Sequence, residues 1–123
     1  MKILIADDED IVRTSLDGIL KKGGSYETDF AFDGEEAVAK IKTSLYDAVL
    51  LDLEMPKISG YEVLAQAREI HPDLPVIFIT GKADAKKVAA AIAKSHLSGF
   101  IEKPFSPNEV LEVISKAIKV KRD

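Results

Sequence analysis

The chain has 123 residues, 46% of them hydrophobic and 31% charged, with 17 Lys and Arg against 21 Asp and Glu for a net charge of -4. A chain of this size forms one domain burying about two-thirds of its unfolded surface, and the acidic balance argues against direct nucleic-acid binding. Cysteine is absent, which excludes disulfides, thiolate zinc sites and cysteine nucleophiles; the apolar runs are too short to span a membrane and no signal segment opens the chain, so a cytoplasmic protein without membrane contact is expected.

The first strand is expected over 2–6, KILIA, and runs directly into four acids, Asp7, Asp8, Glu9 and Asp10. A helix follows over 9–22, with Ile11, Val12, Leu16, Ile19 and Leu20 spaced for one apolar face, and KKGG predicts its stop near Lys22. The second strand is YETDFAF (26–32). Asp33 and Glu36 form a capping-box pattern before Ala37, Val38 and Ile41, which starts the second helix. DAVLL (47–51) is the third strand, and Ser59 with Glu62 opens a third helix carrying Val63, Leu64, Ala67 and Ile70. PVIFIT (75–80) is the fourth strand. A fourth helix over 83–95 has high propensity but a thin apolar face, mainly Val88 and Ile92, so weak docking is expected. GFIEK (99–103) is the fifth strand, and Ser106, Pro107 and Glu109 give a strong start for a last helix bearing Val110, Leu111, Ile114 and Ile118.

Five strand–helix alternations predict an α/β fold, a doubly wound parallel sheet of (βα)5 type. Strands one, three and four are near-continuously apolar and therefore central. Right-handed crossovers then favour the flavodoxin-like order 2-1-3-4-5. No linker divides residues 1–123, and no output domain is expected within them.

Ligands of such sheets bind outside the carboxyl ends of the strands. Strand one ends in Asp7 and Asp8, strand three in Asp52 followed by Leu53 and Glu54, strand four in Thr80 and Gly81, and strand five in Lys103 and Pro104. Three neighbouring carboxylates cannot all stay ionised without a cation. Magnesium suits oxygen ligands and phosphate-bearing substrates, and manganese is expected to substitute. A carboxylate beside a metal, a lysine and a threonine is equipped for phosphoryl transfer, with Asp52 as the candidate nucleophile. Taken singly, each feature has a structural explanation; Glu9 and Asp10 are assigned to the helix start, where acids favour the dipole. Their convergence on one rim is what points to chemistry.

Asp7-Asp8, Asp52 in VLLDLEMPKISGYE, Thr80 in VIFITGKAD and Lys103 in GFIEKPF resemble the receiver domain of two-component response regulators, over the whole chain, 1–123. The resemblance implies that Asp52 accepts a phosphoryl group from a sensor histidine kinase or phosphotransfer protein. It implies that Asp8, Asp52 and the backbone carbonyl of Glu54 ligate magnesium, with Asp7 acting through water, and that Thr80 and Lys103 hold phosphoryl oxygens. The Lys103-Pro104 peptide is expected to be cis. Phe100 matches a switch aromatic: Thr80 moves towards the phosphoryl group, Phe100 turns inward, and the surface of the fourth helix, fifth strand and fifth helix changes for a downstream protein target. The protein is thus expected to catalyse only its own phosphorylation and dephosphorylation.

This chain departs from the family pattern in three places. His96-Leu97 stands where Gly-Ala is common, Phe100 lacks the hydroxyl of a tyrosine, and Glu54 and Lys82 fill two variable positions flanking the acceptor. Glu54 and Lys82 are expected to attract one another across the mouth of the site and slow entry of hydrolytic water. The alternative functions are a magnesium-dependent aspartyl-phosphate phosphatase and a phosphorylation-independent interaction module. Against the former, Glu54 replaces the aspartate such enzymes carry two residues beyond the nucleophile, and no cap insert exists.

Overall fold

The computed structural model describes residues 1–81, 86, 90, 93–94 and 97–122. Its elements are β1 (Lys2–Ala6), α1 (Asp10–Gly24), β2 (Glu27–Ala31), α2 (Gly34–Thr43), β3 (Ala48–Asp52), α3 (Gly60–Ile70), β4 (Val76–Thr80), β5 (Gly99–Glu102) and a C-terminal helix (Pro107–Arg122). The strands form one parallel sheet in the order β2-β1-β3-β4-β5, as the alternation predicts. Most of the helix expected over 83–95, including Val88 and Ile92, lies outside the described residues.

Because successive strand residues face opposite ways, the central strands serve two cores at once. Leu4, Val49, Leu51, Val76 and Phe78 pack with Val38 and Ile41 of α2 and Val63 and Leu64 of α3. Ile3, Ile5, Leu50, Ile77 and Ile79 pack with Leu16 and Leu20 of α1 and with Val110 and Ile114 of the C-terminal helix. Residues 48–52 and 76–80 are buried throughout, which explains why those strands read as unbroken apolar runs. Leu97, one of the two departures before β5, is buried in the α2/α3 core.

The start signals act as expected. Asp33 accepts from the Glu36 N–H at 2.8 Å, while Glu36 accepts from the Phe32 N–H at 2.6 Å; Ser59 caps α3 through the Glu62 N–H, and Ser106 accepts from the Glu109 N–H at 3.2 Å. Replacing Ser106 with Ala is expected to lower stability by about 1 kcal/mol, read as a lower urea midpoint at an unchanged slope.

Two expectations for α1 are corrected. The helix continues through Gly24 and is closed by Ser25, which takes the left-handed conformation (φ 54°). The glycines serve close packing instead of the stop: a Cβ on Gly23 would lie 2.3 Å from Leu111 Cδ1, and one on Gly24 2.2 Å from Tyr26 Cε2. Ile11 does not belong to the buried face, being 84% exposed. Nine residues at about 100° each place it about 180° from Leu20 around the helix.

Candidate functional site

The β1, β3 and β4 carboxyl ends lie side by side, so the sheet register brings together acids that are distant in sequence. Ala6 pairs with Leu51, and Asp52 with Ile79. The turn after β3 is held by tight backbone packing: the Gly60 N–H donates to the Leu53 carbonyl at 3.0 Å, and a Cβ on Gly60 would stand 2.6 Å from the Asp52 carbonyl oxygen. A side chain there would displace the residue at the centre of the rim. In the same turn Lys57 has φ 72° and pairs with Asp33 at 3.4 Å, tying the turn to the start of α2.

Asp8, Glu9, Asp52, Glu54, Thr80, Gly81 and Lys103 line a cleft of about 550 Å3. Asp7 is fully buried, with Oδ1 accepting from the Glu9 N–H at 2.8 Å and Oδ2 3.4 Å from Lys103 Nζ. Asp52 is only 5% exposed and accepts from the Glu54 N–H at 3.2 Å. Thr80 is buried at the end of β4, and its carbonyl accepts from the Lys103 N–H at 2.8 Å. The Lys103-Pro104 peptide is cis, as expected. Phe100 sits on β5 opposite Phe78 and is 39% exposed.

The electrostatics follow from burial and crowding. Burial raises the Asp7 carboxyl above its ordinary value, against the lowering effect of the Glu9 N–H and the Lys103 ammonium. Burial, followed by the charges of Asp7 and Asp8, pushes Asp52 up to about 6; the Glu54 N–H and Lys103 oppose this. Burial draws Lys103 downward, but Asp7, Asp52 and Glu9 outweigh it and leave the ammonium raised. One carboxylate oxygen from each of Asp7, Asp8, Glu9 and Asp52 lies within 4.8 Å of the others. A donor set made only of hard oxygens, held this closely and partly buried, fits magnesium.

Asp7, Asp8, Asp52, Glu54, Thr80 and Lys103 are therefore brought to one place. Lys82 and His96 lie outside the described residues. Two residues at the rim were assigned differently or not singled out. Glu9 precedes α1 in extended conformation (φ -93°, ψ 121°), yet its side chain makes no cap hydrogen bond; its Oε1 is 3.4 Å from Lys103 Nζ. Only its position directly after the acidic pair hints at this. Asp10 does remain with the helix start, paired with Arg13 at 2.7 Å. Arg13 also donates to the Asp7 carbonyl at 2.7 Å and lies 4.3 Å from the Phe32 ring centre, bracing the acid-bearing loop.

The family described as the response regulator receiver domain matches residues 3–115. The chain belongs to the response-regulator receiver family. The receiver is 33% identical to the chemotaxis protein CheY of Thermotoga maritima over 118 residues, covering 96% of this chain and 98% of that one. It is 36% identical to the transcriptional regulatory protein DltR of Streptococcus agalactiae over 111 residues, 90% of this chain but 49% of DltR. Thus it spans about half the length of curated relatives such as DltR. The solved structure of the response regulator TrrA of Thermotoga maritima, in complex with Mg2+-BeF, superposes with a TM-score of 0.84 at 35% identity, covering 94% of this chain and 97% of that one. Fold and family place the receiver in two-component phosphorelay signalling. Receiver domains are, as a family, generally not classical enzymes. Among the described residues, no helix is long and apolar enough to cross a membrane.

Proposed function

We propose that residues 1–123 form one receiver domain in which Asp52 takes a phosphoryl group from the histidine of a sensor kinase or phosphotransfer protein. The observation that carries this reading is the placement of Asp52 at the centre of the cleft, with Asp7, Asp8, Thr80 and Lys103 from three other strand ends around it. An Asp52 carboxylate oxygen attacks phosphorus, the bond from phosphorus to the donor nitrogen breaks, and the departing imidazole keeps that electron pair and takes up a proton. Magnesium, when bound, supplies positive charge to the carboxylates and to the oxygens of the transferring group; manganese serves in the same way. Asp8, Asp52 and the Glu54 carbonyl would hold the ion directly, with Asp7 acting through water. That the relative TrrA was solved in complex with Mg2+-BeF supports magnesium as the ion.

Thr80 and Lys103 would meet the phosphoryl oxygens, and their preorganised position spares reorganisation during transfer. Phe100 begins half outward on β5, the starting position its switch role requires. Its inward turn would reshape the surface of the helix expected over 83–95, β5 and the C-terminal helix for a downstream protein. Glu54 and Lys82 would tune loss of the phosphoryl group by limiting water entry. The receiver thus catalyses its own labelling and unlabelling, in the cytoplasm, without binding nucleic acid itself.

Intact mass after incubation with magnesium and acetyl phosphate tests the reading. Wild type should gain one phosphoryl mass and Asp52→Asn none. No adduct on wild type, or repeated turnover of the donor without a labelled chain, would count against it.

A further inference from the structure

The Glu9 side chain is used by neither the helix start nor the core. Its backbone is fixed, because its carbonyl accepts from the Arg13 N–H at 3.1 Å in the first turn of α1. Its carboxylate does not cap that turn and instead reaches Lys103 from the far side of the chain. The ammonium therefore has two carboxylates at 3.4 Å, the buried one of Asp7 and the exposed one of Glu9. Among the described residues its ion pairs are with these two and not with Asp52.

We infer that Glu9 is a positioning residue that tethers Lys103 on the β1 side of the cleft while Asp52 is unphosphorylated, so that a phosphoryl group on Asp52 has to win the ammonium from it. The step it modulates rests on the function proposed above. Asp7 is buried and clamped by a backbone N–H, whereas the Glu9 side chain is 62% exposed. Glu9 is consequently the weaker, replaceable member of the pair. An exposed pair supplies only a small restraint, which limits the effect on rate to about twofold to fivefold.

Glu9→Gln removes the charge and retains the shape. The first measurement is the NMR order parameter of the Lys103 terminal methylene in metal-free protein, which requires no phosphorylation. It should fall in Glu9→Gln, which removes the charge that holds the ammonium. An unchanged order parameter in Glu9→Gln overturns the tether.

The second measurement is the rate of Asp52 labelling by acetyl phosphate. Glu9→Gln should raise it about twofold to fivefold when Lys103 is present and leave it unchanged on a Lys103→Met background. An equal rise on both backgrounds would show that Glu9 merely repels the anionic donor. A tenfold or larger loss of magnesium affinity in Glu9→Gln would mark Glu9 as a metal ligand. Either result overturns the inference. If wild type takes no label, the proposed function falls, while the order parameter still decides the tether.

Discussion

Magnesium should raise the melting temperature of the receiver, and Asp8→Ala should remove most of that response. The cause is the crowding of Asp7, Asp8, Glu9 and Asp52, whose oxygens approach within 4.8 Å. Part of that charge is screened by Lys103, whose ion pairs among the described residues are with Asp7 and Glu9. A cation that binds the folded rim and not the unfolded chain stabilises by mass action, by about 2.7 kcal/mol at a concentration one hundred times its dissociation constant. For a domain of this size that corresponds to about 3–5 °C per kcal/mol. Asp8 is the acid of choice for the test because it is exposed and carries none of the packing that Asp7 carries. Losing its charge also relieves Asp52, so Asp8→Ala should equal or exceed wild type in metal-free stability. Thermal unfolding in EDTA and across a magnesium titration reads both effects. If the two proteins respond alike, the acids do not act together as a cation site.

How much of this was legible in the sequence depends on whether the deciding interaction is local. The caps Asp33, Ser59 and Ser106 act three residues away, and the pattern of a small polar residue before an acid records them directly. The central strands are equally legible because burial on both faces leaves no polar position to confuse the period. The site followed from topology, since a parallel sheet of this order puts all its strand ends on one rim.

Part of what escaped is decided by partners distant in sequence, and part by angle around the helix axis. Gly23 and Gly24 resemble a helix stop, but Leu111 and Tyr26 claim the space that their side chains would occupy. Ile11 fits a spacing of apolar residues along α1, yet its angle around the axis points it to solvent. Glu9 fits a helix start by composition, and its carboxylate is diverted to an ammonium 94 residues along the chain. For Gly23 and Glu9 the local rule was sound and a tertiary contact outweighed it; for Ile11 the step of about 100° per residue in the helix itself decides.

Asp52→Asn should stabilise the metal-free receiver at neutral pH and do so progressively less as the pH falls towards 4. Burial and the Asp7 and Asp8 charges raise the folded-state value of Asp52 from 3.8 to about 6. Between those values the folded protein binds more protons than the unfolded chain, so stability decreases as the pH rises through that window. Above it the full cost of an ionised Asp52 is present, on the order of 2–3 kcal/mol. Asp7, also raised, contributes with the same sign. Asparagine keeps an oxygen for the Glu54 N–H and removes the charge, so its advantage should be greatest near pH 7.5 and close to nothing near pH 4. Urea unfolding of both proteins in EDTA across this range measures it. Magnesium should reverse the order, since the ion offsets in wild type the charge that the variant no longer has. A stability difference that ignores pH would mean that Asp52 is not electrostatically strained, and the folded state would then hold no reserve of charge for a cation or a phosphoryl acceptor to draw on.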